Sequence, residues 1–439
     1  MSYPHLARRS GAASAGVLIG ALGLALVPIG GFAAPTHAAI PPLSAYSFQL
    51  QARAATGGSA FNLPAGSSFT SISPQINDAG TVSFRVQTVG GTFDPGSGES
   101  RYGIWRGARG SGGVVALGDL GALVTNDTHM NQAGAIVWTQ GLSGADGVYR
   151  YDPGSGTSSR VINGPAGATS WTPKINNAGQ IGSRTGYGGN SQQYISYTLP
   201  SGNAVHASSV DADLSAPYSF LFSMAFDDSR RIAGVVRVGP AGSATDSTRP
   251  DQLRRFNSDG SSLLLTEDQD SNPLAPFNAF DSTTPGMSDD GSKVAFIART
   301  TSSSATRGVQ LWDNGAVIPI ALPGSGISSV DNFSANVNDN GLVVFRATDT
   351  SGNISVFLGD GSGVQRMLGV GDTIMTDLGP RTITFLAGNP DINNNGEIAF
   401  AAQLNNGGNV VIAAYIPEPA SFGSAALLAV ANVRRRRAR

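Results

Sequence analysis

The sequence predicts an all-β protein built as a ring of seven β-sheet blades, a seven-bladed propeller, with an apolar leader before it and a short apolar helix after it. Three observations carry that prediction. One turn phrase recurs seven times at a spacing near 50 residues. Glycine is abundant, 58 of 439 residues, without the three-residue period of collagen. Charged residues make up only 13% while hydrophobic ones reach 40%, enough to fill a buried core. Glycine takes positive φ at little steric cost, so this balance suits a β protein with many tight turns.

The elements follow in chain order. Residues 1–38 carry the parts of a secretory signal. Arg8 and Arg9 are followed by an apolar run from Val17 to Val27, and Thr36-His37-Ala38 puts small residues at the −3 and −1 positions of a cleavage site. A signal peptidase cutting after Ala38 is the expected partner. The Arg8-Arg9 pair admits a twin-arginine route, but Ser10, Gly11 and Ala12 lack the bulky apolar residues of such signals, and the general secretory route is favoured.

Residues 40–416 form the repeat body. Ile76-Asn77-Asp78-Ala79-Gly80 recurs as Met130-Asn131-Gln132-Ala133-Gly134, Ile175-Asn176-Asn177-Ala178-Gly179 and Phe226-Asp227-Asp228-Ser229-Arg230. It returns as Met287-Ser288-Asp289-Asp290-Gly291, Val337-Asn338-Asp339-Asn340-Gly341 and Ile392-Asn393-Asn394-Asn395-Gly396. An apolar residue ends one strand, Asn or Asp bonds its own backbone, and glycine lets the chain reverse. Alternating apolar residues, Val82 and Phe84 for example, then begin the next strand. In the fourth copy Arg230 stands where the others have glycine. The turns end at 80, 134, 179, 230, 291, 341 and 396, a period that fits one propeller blade.

A further strand with an aromatic follows each turn, and Trp105, Tyr149, Trp312 and Phe357 at one blade position are read as inter-blade core. Seven such units closing radially leave only short sheet edges. The run Tyr46-Ser47-Phe48-Gln49-Leu50 precedes the first turn, and the seventh repeat stops after two strands. The N-terminal strand is therefore expected to complete the last blade. Another blade count or a β-solenoid is the alternative, although solenoid coils are shorter than this period. The segment from Gly239 to Pro250 reads as an insertion in the fourth repeat.

Residues 417–439 read Pro417-Glu418-Pro419, then an apolar stretch from Phe422 to Val433, then Arg434-Arg435-Arg436-Arg437. This order resembles the PEP-CTERM sorting signal. The resemblance implies export, transient membrane contact through the tail, and processing near Pro417 by an exosortase-type enzyme, with an envelope or extracellular-matrix destination. The apolar segment of 12 residues is shorter than the roughly 20 that span a bilayer. The body resembles the NxxGxxF tandem-repeat proteins, on Asn77/Gly80/Phe84, Asn338/Gly341/Phe345 and Asn393/Gly396/Phe400 with the aromatic one residue late, and on Val370-Gly371-Asp372. That resemblance implies a surface location and a propeller-like fold, and no particular activity.

Composition excludes several chemistries. With no cysteine, disulfides, thiolate zinc sites and cysteine nucleophiles are out. Removing the seven leader and tail arginines and Glu418 takes the 28 basic and 30 acidic residues to 21 and 29, a body near −8. An acidic body is a poor partner for nucleic acid, and the terminal arginines follow an apolar stretch as a membrane-topology signal does. Asp391-Ile392-Asn393-Asn394-Asn395-Gly396 begins like an EF-hand loop, but its twelfth position is Ala402 rather than Glu. Residues ahead of the turns vary freely (Gln75, His129, Lys174, Asn336), which reads as a turn rather than a ligand set. Glu267-Asp268-Gln269-Asp270-Ser271-Asn272 reads as a solvated acidic loop. His129 and His206 are the body's histidines, and neither sits in a nucleophile elbow.

No catalytic, cofactor or metal residue is assigned. The leading expectation is an exported, non-enzymatic envelope or matrix protein for binding or structural display, with matrix polysaccharide or surface proteins as partners. The alternative is an extracellular polysaccharide hydrolase or lyase, which requires carboxylates with raised pKa values gathered at the central channel.

Overall fold

Short strands bounded by turns assemble into seven antiparallel sheets, one after another along the chain. The computed structural model describes residues 38–57, 59–70, 72–91, 101–119, 123–124, 128–141, 147–163, 170–187, 191–200, 202–209, 217–239, 250–281, 284–405 and 408–417. The leader before Ala38, residues 240–249 of the insertion, and the tail from Glu418 onward, with its apolar stretch and Arg434 to Arg437, lie outside the described residues.

Each sheet is a blade. The first contains Gln75–Ile76, Thr81–Val86, Gly103–Ala108 and Ser111–Leu117; the third contains Ser170–Ile175, Ile181–Gly186, Gln192–Tyr197 and Asn203–Ser209. The fourth contains Tyr218–Phe226, Ile232–Val238, Asp251–Phe256 and Ser262–Glu267. In the second, fifth and sixth blades the innermost strand is split into two short pieces. His129–Met130, Gly286–Met287 and Asn336–Val337 are the pieces next to the turns. The seventh blade runs Gly379–Ile392, Ile398–Leu404 and Gly408–Tyr415, and its next strand is Ser47–Thr56 from the other end of the chain.

That last pairing closes the ring, from Ser47 opposite Tyr415 to Arg53 opposite Val410, with a bulge between. The chain thus meets the expectation of a propeller sealed by its N-terminal strand.

The core sits in the seams between blades, because each sheet is apolar on both faces. Phe345 and Phe357 of the sixth blade pack with Val309 and Leu311 of the fifth, and Val82, Phe84 and Trp105 of the first pack with Ala399, Val411 and Tyr415 of the seventh. Trp105, Trp312 and Phe357 are buried and Tyr149 half-buried. Cross-strand stacking adds to this burial: Phe84 on Trp105 at 4.9 Å, Phe345 on Phe357 at 5.8 Å and Trp138 on Tyr149 at 6.0 Å. Such pairs contribute about 1 kcal/mol each beyond their buried area.

The seven turn motifs lie on one face of the ring, with the third-to-fourth-strand hairpins. We call it the turn face.

Candidate functional site

The turn motif does two jobs at once. Its first asparagine caps its own turn: the Oδ1 atoms of Asn77, Asn131, Asn176, Asn338 and Asn393 accept the N–H of the residue four positions on, at 2.8–3.0 Å. Its Nδ2 reaches the next blade. Asn77 donates to the Gln132 carbonyl, Asn131 to that of Asn176, Asn176 to that of Asp227 and Asn338 to that of Asn393. Asn393 donates to the Asn77 carbonyl at 2.8 Å and joins the seventh blade to the first, while in the fifth copy Ser288 donates within its own turn to Asp290.

The second turn residue makes a parallel belt. The N–H of Asp78 donates to Gln132 Oε1, that of Gln132 to Asn177 Oδ1 and that of Asn177 to Asp228 Oδ1. Further round, the N–H groups of Asp339 and Asn394 donate to Asn394 and Asp78, and in the fifth copy the third turn residue, Asp290, donates its N–H to Asp339.

Gly80, Gly134, Gly179, Gly291, Gly341 and Gly396 hold the positive φ that the reversal requires, between 65° and 82°. Arg230 holds φ 61° without being glycine. In that fourth copy Asp227 replaces the asparagine, and Arg231 supplies the missing donors through Asp227 Oδ2 and the Asp290 carbonyl.

Inside this belt lies a cavity of about 120 Å³ on the ring axis. Its lining follows from the inner strands. The residue just before each turn is apolar and in most blades touches the cavity, and the residue before that lines the cavity in every blade. One such residue comes from each blade: Gln75, His129, Lys174, Ala225, Gly286, Asn336 and Asp391. These include the positions whose variation reads, in the sequence alone, as evidence against a ligand set. The variation at this position leaves the turns intact, because the turn bonds are made by the residues that follow it.

Three of these side chains are tied to the following blade. Asp391 Oδ2 accepts the Ile76 N–H at 2.9 Å, His129 Nδ1 accepts the Ile175 N–H at 3.2 Å, and Asn336 Nδ2 donates to the Pro390 carbonyl at 2.8 Å. Burial pushes Asp391 up to about 7, against the pull of two backbone N–H groups and Lys174. Burial, with the Lys174 charge added, holds His129 well below the ordinary histidine range. Asp289, at the turn-face mouth, is also raised by burial although Gln132 and Asn177 donate to its Oδ2 at 3.1 Å each.

The other residues singled out in the sequence lie elsewhere. His206 is buried between the third and fourth blades, with Nε2 at 2.8 Å from Ser196 Oγ and Arg230 Nη2 at 3.0 Å from the same oxygen. The acidic stretch is not a solvated loop throughout. Asp268 is 3% exposed and accepts the N–H groups of Asp251 and Ser271, because it closes the edge of the fourth blade. Asp372 accepts from the Gly369 N–H and from Arg366, a local turn far from the axis. Pro417 is exposed, just beyond Ile416, which packs beside Gly396 on the turn face. Ala38 lies on the same face, its N–H on the Asn340 carbonyl at 3.1 Å.

No family model matches this chain, and no curated protein does. Among solved structures it is similar to TolB from Acinetobacter baumannii, at 16% identity and TM-score 0.42, covering 66% of this chain and 63% of that one. It is similar to the acylaminoacyl peptidase of Pyrococcus horikoshii, at 13% identity and TM-score 0.48, covering 78% and 52%. The tricorn protease matches at 9% identity and TM-score 0.43, covering 79% and 35%. The chain thus spans less than two thirds of each of these proteins.

Proposed function

We propose that this protein is an exported envelope or matrix protein that binds or displays and carries out no turnover, and that an exosortase-type enzyme processes it near Pro417. The observation behind the non-enzymatic part is the small size of the axial cavity. At about 120 Å³ it has room for about four waters, against the roughly 300–1,000 Å³ of ordinary substrate pockets. Support for the processing part is the three-part order of the tail, Pro417-Glu418-Pro419, Phe422 to Val433 and Arg434 to Arg437. Cuts after Ala38 and near Pro417 would leave every blade strand whole, since the flanking strands are Ser47–Thr56 and Gly408–Tyr415.

Intact-mass analysis of protein recovered from its native envelope and medium tests the processing. Termini near Ala39 and Pro417 are expected, and a chain still ending at Arg439 sinks this part. The polysaccharide-enzyme alternative draws on Asp391 and Asp289, two raised carboxylates at the axis. Release of reducing ends from matrix polysaccharide, lost in Asp391→Asn, would revive it.

A further inference from the structure

The axial ring is bipolar. Taken in blade order it reads Gln75, His129, Lys174, Ala225, Gly286, Asn336 and Asp391. Because His129 Nδ1 accepts the Ile175 N–H, the proton of the neutral imidazole sits on Nε2, which makes that atom a donor. Lys174 beside it brings a positive charge. Across the axis Asp391 is an acceptor, with Asp289 below it at the turn-face mouth. At this ring position the fourth and fifth blades contribute only Ala225 and Gly286, with Phe226, Pro285 and Met287 beside them. A Cβ on Gly286 would lie 2.5 Å from the Ala335 carbonyl oxygen and 2.7 Å from Asn336 Cα, so the backbone of the sixth blade packs against it and forbids a side chain there.

We propose that this ring binds a small zwitterion, an α-amino acid of glycine size, with its carboxylate on the His129 and Lys174 side and its ammonium on the Asp391 side. A lone cation is repelled by Lys174 and a lone anion by Asp289 and ionised Asp391, whereas a zwitterion meets both ends with opposite charge once Asp391 has lost its proton, above about pH 7. The bonds between Asp391 and Ile76 and between His129 and Ile175 hold both side chains in place before a ligand arrives, which lowers the ordering cost of binding. The volume of about 120 Å³ admits roughly five non-hydrogen atoms. A ligand of that size is limited to a dissociation constant of roughly a few micromolar at the tightest.

The inference rests on the reading of this propeller as a binding protein. Its test is calorimetric titration of the exhaustively dialysed full chain with glycine, acetate and methylammonium in turn. Glycine is expected to bind saturably, with acetate and methylammonium each at least about tenfold weaker, since each satisfies only one end of the ring. Lys174→Met and Asp391→Asn should each abolish glycine binding. Ala225→Leu, which keeps both charges and fills the gap, should do the same, and it stands in if either charge variant fails to fold. No saturable binding of glycine overturns the proposal. So does acetate or methylammonium binding as tightly as glycine, or a folded Lys174→Met protein that still takes glycine. Chemical consumption of bound glycine would overturn the non-enzymatic reading and leave the site standing, while the processing of the termini is decided by mass alone.

Discussion

At the scale of single residues, the turn asparagine shows how one side chain caps its own turn and joins two blades. An aspartate there keeps the acceptor but loses the donor, and at neutral pH it sets a carboxylate against the next blade's carbonyl. The natural fourth copy carries that aspartate only because Arg231 stands four positions on. Asn176→Asp should therefore cost about 2 kcal/mol, the penalty of an unsatisfied buried group. Adding Gln180→Arg, which rebuilds the Asp227/Arg231 pair, should regain at least half, as read from thermal melts.

Asp391 gives a second prediction at this scale. The unfolded chain releases its proton near pH 4 and the folded one near 7, so its contribution is full below about pH 4 and is lost as pH rises toward 7. In Asp391→Asn that loss is absent. The melting temperature of the variant relative to the natural protein should therefore climb between pH 4 and 7; a flat difference refutes the raised carboxyl.

At the scale of elements, the strand that closes the ring is held by more than its ladder. Arg53 within it is 1% exposed and forms a two-pronged pair with Asp377, Nε to Oδ1 at 2.9 Å and Nη2 to Oδ2 at 2.8 Å. Asp377 belongs to the hairpin joining Thr373–Thr376 to the start of the seventh blade's inner strand. Removing the carboxylate strands a buried guanidinium, so Asp377→Asn should cost about 3 kcal/mol by denaturant unfolding.

The seam of the third and fourth blades holds the opposite charge sensitivity. Burial lowers His206 to about 4, so its neutral form is what the fold accepts. The folded protein resists a proton that the unfolded chain takes near pH 6.5, and stability falls as pH drops from about 6.5 to 4. His206→Gln should flatten that acid loss in melts recorded across the same range.

At the scale of the molecule, the ring is a closed circuit. The Asn393 bond to the Asn77 carbonyl, the Asn394 bond to Asp78 and the ladder between Ser47–Thr56 and Gly408–Tyr415 all join chain segments more than 300 residues apart. The seams that flank the seventh blade lack their full set of partners until both ends are in place. Deleting residues 38–56 should abolish the single cooperative melting transition rather than shift it, because the seventh blade loses its outer strand and both flanking seams open.

The seven turns, the strands after them and the need for the N-terminal strand could be read from the sequence. Each depends on local rules: positive φ at glycine, alternation, and a repeat period of one blade. The axial ring could not be read that way. Gln75, His129, Lys174, Ala225, Gly286, Asn336 and Asp391 share only a position, two residues before each turn, and their differences look like noise along the chain. Closure makes them neighbours, turning seven unlike side chains into one bipolar lining. The same holds for the belt at the turn face. Its partners lie some 45 to 55 residues apart, or 316 where the seventh blade meets the first, so only the ring decides what each asparagine donates to.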